Sequence, residues 1–150
     1  MMIDTDTVPI LFEQIRRTGR SLLQYAGESY PWVRDSAGLG TLTSIQHMIG
    51  EEQQASTPII KYLRRYHVPP PHLGPYPMQF TNFNFLAVRR LLELLVEHQD
   101  EDVTALEANL RPVHDGEARR LLQHLFEVKK RHLESLREMT APAAPAVVSG

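Results

Sequence analysis

The sequence predicts an all-α chain, a four-helix bundle with a long Pro-rich crossover between its second and third helices. Three observations carry this. Four segments repeat apolar residues at the helical period. The stretch "RPVHD" between the third and fourth is short, which forces an antiparallel hairpin. The stretch "PPPHLGPYPMQF" between the second and third is dominated by proline and therefore extended. Its residues at ~3.1 Å each reach about 37 Å, roughly the length of a helix of about 25 residues. It can run the length of a bundle and set the third helix parallel to the second.

The first helix is expected from Pro9 to Ser29. Asp6 or Thr7 can cap it, and Pro9 suits the first turn, where its missing N–H costs nothing. Its stripe is Leu11, Ile15, Thr18, Leu22, Tyr25, Ala26 and Ser29. The second runs from about Thr43 to His67 through Ile45, Met48, Ile49, Glu52, Ser56, Ile59, Leu63 and Tyr66. Pro58 lies inside it and predicts a kink, because proline removes a donor and crowds the carbonyl of Gln54. The third starts at a Thr81 or Asn82 cap and reaches Leu110, with Phe85, Val88, Leu92, Leu95, Val96, Gln99, Val103 and Leu106 inward. The fourth follows an Asp115 cap to Met139 through Ala118, Leu121, Leu122, Leu125, Val128, Lys129, His132 and Leu136. Residues 1–140 read as one domain, and 141–150 as a disordered Ala/Pro-rich tail.

Composition narrows the function classes. The chain has 150 residues, 16 basic against 18 acidic, a net charge of −2 and no cysteine. The balance of charge gives no basic face for nucleic acid. Without cysteine there is no disulfide, thiolate metal site or thiol catalysis. No apolar run is long enough to span a membrane, and the acidic N-terminus is unlike a signal peptide, so a cytoplasmic protein is expected. The "GLG" at Gly38 to Gly40 follows no strand, and no serine stands in a nucleophile elbow.

The four helices and the long crossover, together with "IGEEQQ" on the second helix and "FEVKKRHLESL" on the fourth, resemble the ferritin-like superfamily, and within it the small rubrerythrin-type bacterial bundles. That resemblance implies a di-iron centre in active members. They carry a Glu-x-x-His motif on the second and fourth helices and one Glu on each of the others. The corresponding positions here are Glu52 with Ala55, and Lys129 with His132.

The helical wheel tests that implication at ~100° per residue. Glu52 lies seven residues from both Ile45 and Ile59 and points inward, Glu51 falls on the flank, and His47 and Gln54 lie on the far side. His132 is in register with Leu125 and Met139, and Lys129 with Leu122 and Leu136. The other helices offer Thr18, Tyr25, Ser29 and Gln99. One carboxylate, one imidazole and one ammonium do not make a di-iron site, which needs about four carboxylates and two histidines. Glu52, Lys129 and His132 are instead expected to form a buried ion-pair network, with Gln99 or Tyr25 completing its hydrogen bonds. The plain alternatives are a Glu52 that reaches solvent, a Lys129 stem packed under a wet head, and a His132 bonded only to backbone.

Two functions follow. One is a non-catalytic structural or interaction module without a cofactor. The other is a metal-binding oxidoreductase holding iron or manganese through Glu51, Glu52 and His132, which requires a π-bulge or strong kink at Pro58. A homodimer is expected from apolar residues off the inner stripes: Phe12, Leu23, Leu91, Leu94, Phe126 and Leu133. An unidentified protein partner at "AVVSG" is a weaker expectation, and neither nucleic acid nor membrane is expected as a partner.

Overall fold

A computed structural model describes residues 3–29, 36–83 and 86–141, apart from the side chains at 29 and 36–38. The chain is all-α. Its helices are α1 (Thr7–Gly19), α2 (Leu22–Ser29), α3 (Ser36–Arg65), α4 (Val88–Leu110) and α5 (Gly116–Thr140), with a 3-10 segment at Met78–Phe83. Among the described residues no helix is long and apolar enough to cross a membrane. The expected tail from 142 onward and the inward placement of Phe85 fall outside the described residues.

The expected first helix is two helices. Arg20 leaves helical geometry at φ −127 and ψ 29, and its N–H closes α1 on the Arg16 carbonyl at 2.9 Å. Ser21 then accepts the Gln24 N–H on its hydroxyl at 3.1 Å and opens α2. The Arg20 guanidinium holds the break together, donating to the Gly19 carbonyl at 2.9 Å and the Gly74 carbonyl at 2.6 Å. Upstream, Asp6 occupies the cap position without a side-chain cap bond; the Asp4 carboxylate accepts the Asp6 N–H instead.

α3 begins before Thr43 and stays α-helical through Pro58, without a π turn. It ends with the Val68 N–H on the Leu63 carbonyl at 2.9 Å and His67 at φ 62, a left-handed closure that glycine more often supplies. α4 begins at Val88, later than the expected Thr81 or Asn82 cap, because Met78–Phe83 coils into a 3-10 turn in which Thr81 bonds the Met78 carbonyl. α5 has the expected cap: Asp115 accepts the Ala118 N–H at 2.9 Å and also the Tyr62 hydroxyl at 3.0 Å.

Cross-helix pairs give the running directions. Tyr62 meets Asp115 and Arg65 meets Glu117, while Glu52 meets Lys129, so α3 and α5 run in opposite senses. Arg119 on the Leu110 carbonyl and Arg137 beside Asp100 set α5 against α4. Asp102 on Arg17 and Asn109 on Glu13 set α4 against α1.

Segment 66–87 touches α1 and then α2 in order. Leu73 packs so closely on Gly19 that a Cβ there would lie 2.8 Å from Leu73 Cδ1. Tyr76 lies under the Arg20 guanidinium at 4.7 Å, donates to Glu28 at 2.8 Å and meets the edge of Tyr25 at 5.3 Å. Phe80 is buried against Tyr25 and His98.

The interior is two apolar clusters with a polar layer between them. One includes Leu11, Ile59, Tyr62, Leu106, Leu122 and Leu125. The other includes Leu22, Ile45, Leu91, Leu95 and Leu136. Of the apolar residues off the inner stripes, Leu23, Leu91, Leu94 and Leu133 are buried within this one chain. Phe12 and Phe126 are partly buried against the first cluster, with Arg16 and Lys130 over their rings.

Candidate functional site

The polar layer is built from α3, α4 and α5, each placing one or two inner-stripe residues at the same height. Glu52, Gln99, Lys129 and His132 are each no more than 2 % exposed. Glu52 Oε1 accepts from Lys129 Nζ at 2.9 Å, and Oε2 meets His132 Nδ1 at 2.7 Å and accepts from Gln99 Nε2 at 3.1 Å. The Gln99 amide also donates to the Lys129 backbone carbonyl at 3.1 Å. Burial alone would raise the Glu52 carboxyl. The Lys129 charge and the hydrogen bonds of His132 and Lys129 outweigh that and hold it at about 2.

The network continues outward. His132 Nε2 lies 3.2 Å from Glu51 Oε1, and Glu51 Oε2 accepts from Arg131 at 2.6 Å. The hydrogen bond to His132 is the chief reason the Glu51 carboxyl is lowered. His47 approaches the same oxygen at 3.4 Å. These groups edge an open cleft of about 640 Å³ between α3 and α5.

Glu52, Lys129, His132 and Gln99, each expected on an inner stripe, meet in one network. Tyr25 stands among Tyr76 and Phe80, in the aromatic group under segment 66–87. Glu51 is on the flank, as the wheel requires, yet it reaches His132 because that ring projects between α3 and α5.

Two further polar residues lie near the layer, the partly buried Asp102 and the buried Gln14. Asp102 bonds Arg17 at 3.1 Å and feels the Lys129 charge, although burial raises its carboxyl overall. Gln14 on α1 is completely buried. Each lies beside a stripe residue, Val103 and Ile15, and that adjacency was the available signal.

The donor set does not fit the di-iron centre that the resemblance implies. The position of a helix-5 carboxylate is taken by a cation bonded to Glu52, and Ala55 stands where a histidine would be. The alternative set of Glu51, Glu52 and His132 is brought together, but the imidazole lies between the two carboxylates, with one on each nitrogen. Among the described residues no three His, Asp or Glu side chains are arranged to hold a metal ion. An ionised Glu52 with both oxygens occupied is a fixed counter-charge; it has no proton to give as a general acid.

In comparisons with known proteins, no family model, no curated protein and no solved structure matches this chain.

Proposed function

We propose that the chain is a ferritin-like four-helix bundle in which a buried ion-pair network stands in the place of a metal centre, and that it serves as a structural or interaction module. The observation that carries this is Lys129 Nζ at 2.9 Å from Glu52 Oε1, with side chains 0 % and 2 % exposed. A buried carboxylate requires a compensating positive charge. A fixed ammonium supplies it, and repels a divalent cation from the same oxygens.

The topology reading has its own support. α4 and α5 run in opposite senses, as do α3 and α5, so α3 and α4 share a direction. A connection between two helices of the same direction has to travel their length, and on the way Gly74 accepts from Arg20 at the α1–α2 break and Tyr76 donates to Glu28 on α2. On this reading α1 and α2 together are one broken helix of the four. The module does not require a second copy, since the apolar residues off the inner stripes are covered largely inside one chain. Sedimentation at high concentration tests pairing.

Protein produced with iron and manganese in the medium and assayed for bound metal tests the central reading. The expected result is substoichiometric metal and no acceleration of peroxide-dependent iron oxidation. One or two metal ions per chain, lost on Glu52→Ala or His132→Ala, would overturn it.

A further inference from the structure

A cavity of about 330 Å³ opens at the α1–α2 break, between α1, α2 and α3. Two charged side chains lie on its wall, Arg20 at the break and Glu28 on α2. Gln24 lines it as well, four residues before Glu28 and therefore on the same face of α2. Ile15, Ile60 and Leu73 supply apolar wall. None of these six residues belongs to the central ion-pair network.

The polar groups are held in place but not saturated. Arg20 spends two of its five donors on the Gly19 and Gly74 carbonyls, at 2.9 and 2.6 Å. Those partners are neutral, so the guanidinium keeps its charge. Glu28 accepts the Tyr76 hydroxyl at 2.8 Å, which is neutral too. Among the described residues neither charge belongs to an ion pair. The Gln24 side chain is 8 % exposed, and its amide has no hydrogen-bond partner among the described residues. Unlike the Gln14 amide, it is not sealed beneath the surface.

Tyr76 sets the distance between the two charges. Its ring lies 4.7 Å from Arg20 Cζ while its hydroxyl rests on Glu28. A cation and an anion therefore stand about one tyrosine apart beside an apolar wall. A guest with a single charge would be drawn to one of them and opposed by the other, and an uncharged guest would gain from neither. A small zwitterion satisfies both. The volume suits such a guest, since it lies at the small end of the range for ligand sites.

We propose that this cavity is a binding site for a free α-amino acid with an apolar side chain. Its carboxylate pairs with Arg20 and its ammonium with Glu28. The Gln24 amide bonds the head between them, and the side chain lies against Ile15, Ile60 and Leu73.

NMR titration of the full chain with L-leucine, L-leucinamide and isocaproate tests this, the last two keeping only the ammonium or only the carboxylate. L-Leucine should give saturable methyl shifts at Ile15, Ile60 and Leu73 in the millimolar range. Each analogue with a single charge should bind at least about threefold more weakly, the worth of one part-exposed ion pair. Glu28→Gln keeps an acceptor for the Tyr76 hydroxyl and removes the charge, so L-leucine should lose its advantage over isocaproate. Arg20→Gln should erase its advantage over L-leucinamide. Arg20 also holds the α1–α2 break, and should that variant not fold, Glu28→Gln decides alone. Shifts that never saturate, an analogue with a single charge binding as tightly as L-leucine, or an undiminished preference in Glu28→Gln would each overturn the proposal.

Discussion

Replacing Lys129 by methionine removes the ammonium while keeping an unbranched stem in a site that is 0 % exposed. Glu52 would then keep His132 and Gln99 but lose its principal charge partner. Its carboxyl is lowered from 4.5 to about 2, which at ~1.36 kcal/mol per pH unit corresponds to about 3 kcal/mol of net stabilisation of the ionised form. Breaking a buried pair by removing one partner costs ~3–5 kcal/mol, which places the loss at about 3 kcal/mol or more. For a chain of this size that lowers the melting temperature by roughly 10 °C. Urea unfolding followed by circular dichroism at pH 7 measures it. Glu52→Met added to Lys129→Met should recover most of the loss, because two apolar groups leave no charge uncompensated. A Lys129→Met loss below about 1 kcal/mol, or a double variant no more stable than the single one, would refute the network as described.

The acid limb tests the same carboxylate differently. As pH falls the unfolded chain takes up the Glu52 proton first, so its stabilisation is complete above about 4.5 and is lost down to about 2. Urea midpoints should fall across that window more steeply in the native chain than in Glu52→Gln, and parallel profiles would count against it. Asp115→Ala removes both the α5 cap and the acceptor of the Tyr62 hydroxyl, and should cost about 2 kcal/mol in urea unfolding. His67→Gly relieves a left-handed residue at the end of α3 and should raise the urea midpoint by about 1 kcal/mol of stability. Burial, then the hydrogen bond to Glu28, holds the Tyr76 phenol at about 12. Ultraviolet titration should show one tyrosine ionising earlier in Glu28→Gln.

The inner stripes were legible because a period of 3.6 residues assigns a face to each position wherever the helix is continuous. Glu52, Gln99, Lys129 and His132 all lie well inside α3, α4 and α5, where that condition holds. The period fails at helix ends. "TGRS" carries a stop and a start within four residues, Gly19 near the end of α1 and Ser21 as the cap of α2, yet the apolar stripe passes across it unbroken. The late start of α4 was hidden in the same way. Thr81 and Asn82 are good caps in isolation, but Thr81 spends its hydroxyl on the Met78 carbonyl. Asp102 was missed because Asp at the edge of a stripe usually faces water, and its partial burial is made tolerable by Lys129 and Arg17 from two other helices.

Charge bookkeeping across the layer explains why these substitutions belong together. Glu52 and Asp102 both feel Lys129, and Asp102 has a second cation in Arg17. Glu51, at the cleft, is matched by Arg131 and touches His132. Each inner acid therefore has a cation fixed by the sequence, from Arg17 on α1 to Arg131 on α5. A metal ion entering this layer would have to displace a covalently tethered charge at close to contact distance. Relaxing that constraint takes a change at Lys129 itself: a neutral residue there leaves Glu52 in need of a cation, and a glutamate adds a second inward carboxylate. Lys129→Glu is thus the single substitution that moves the layer toward metal, and bound iron or manganese in that variant but not in the native chain is the expected outcome.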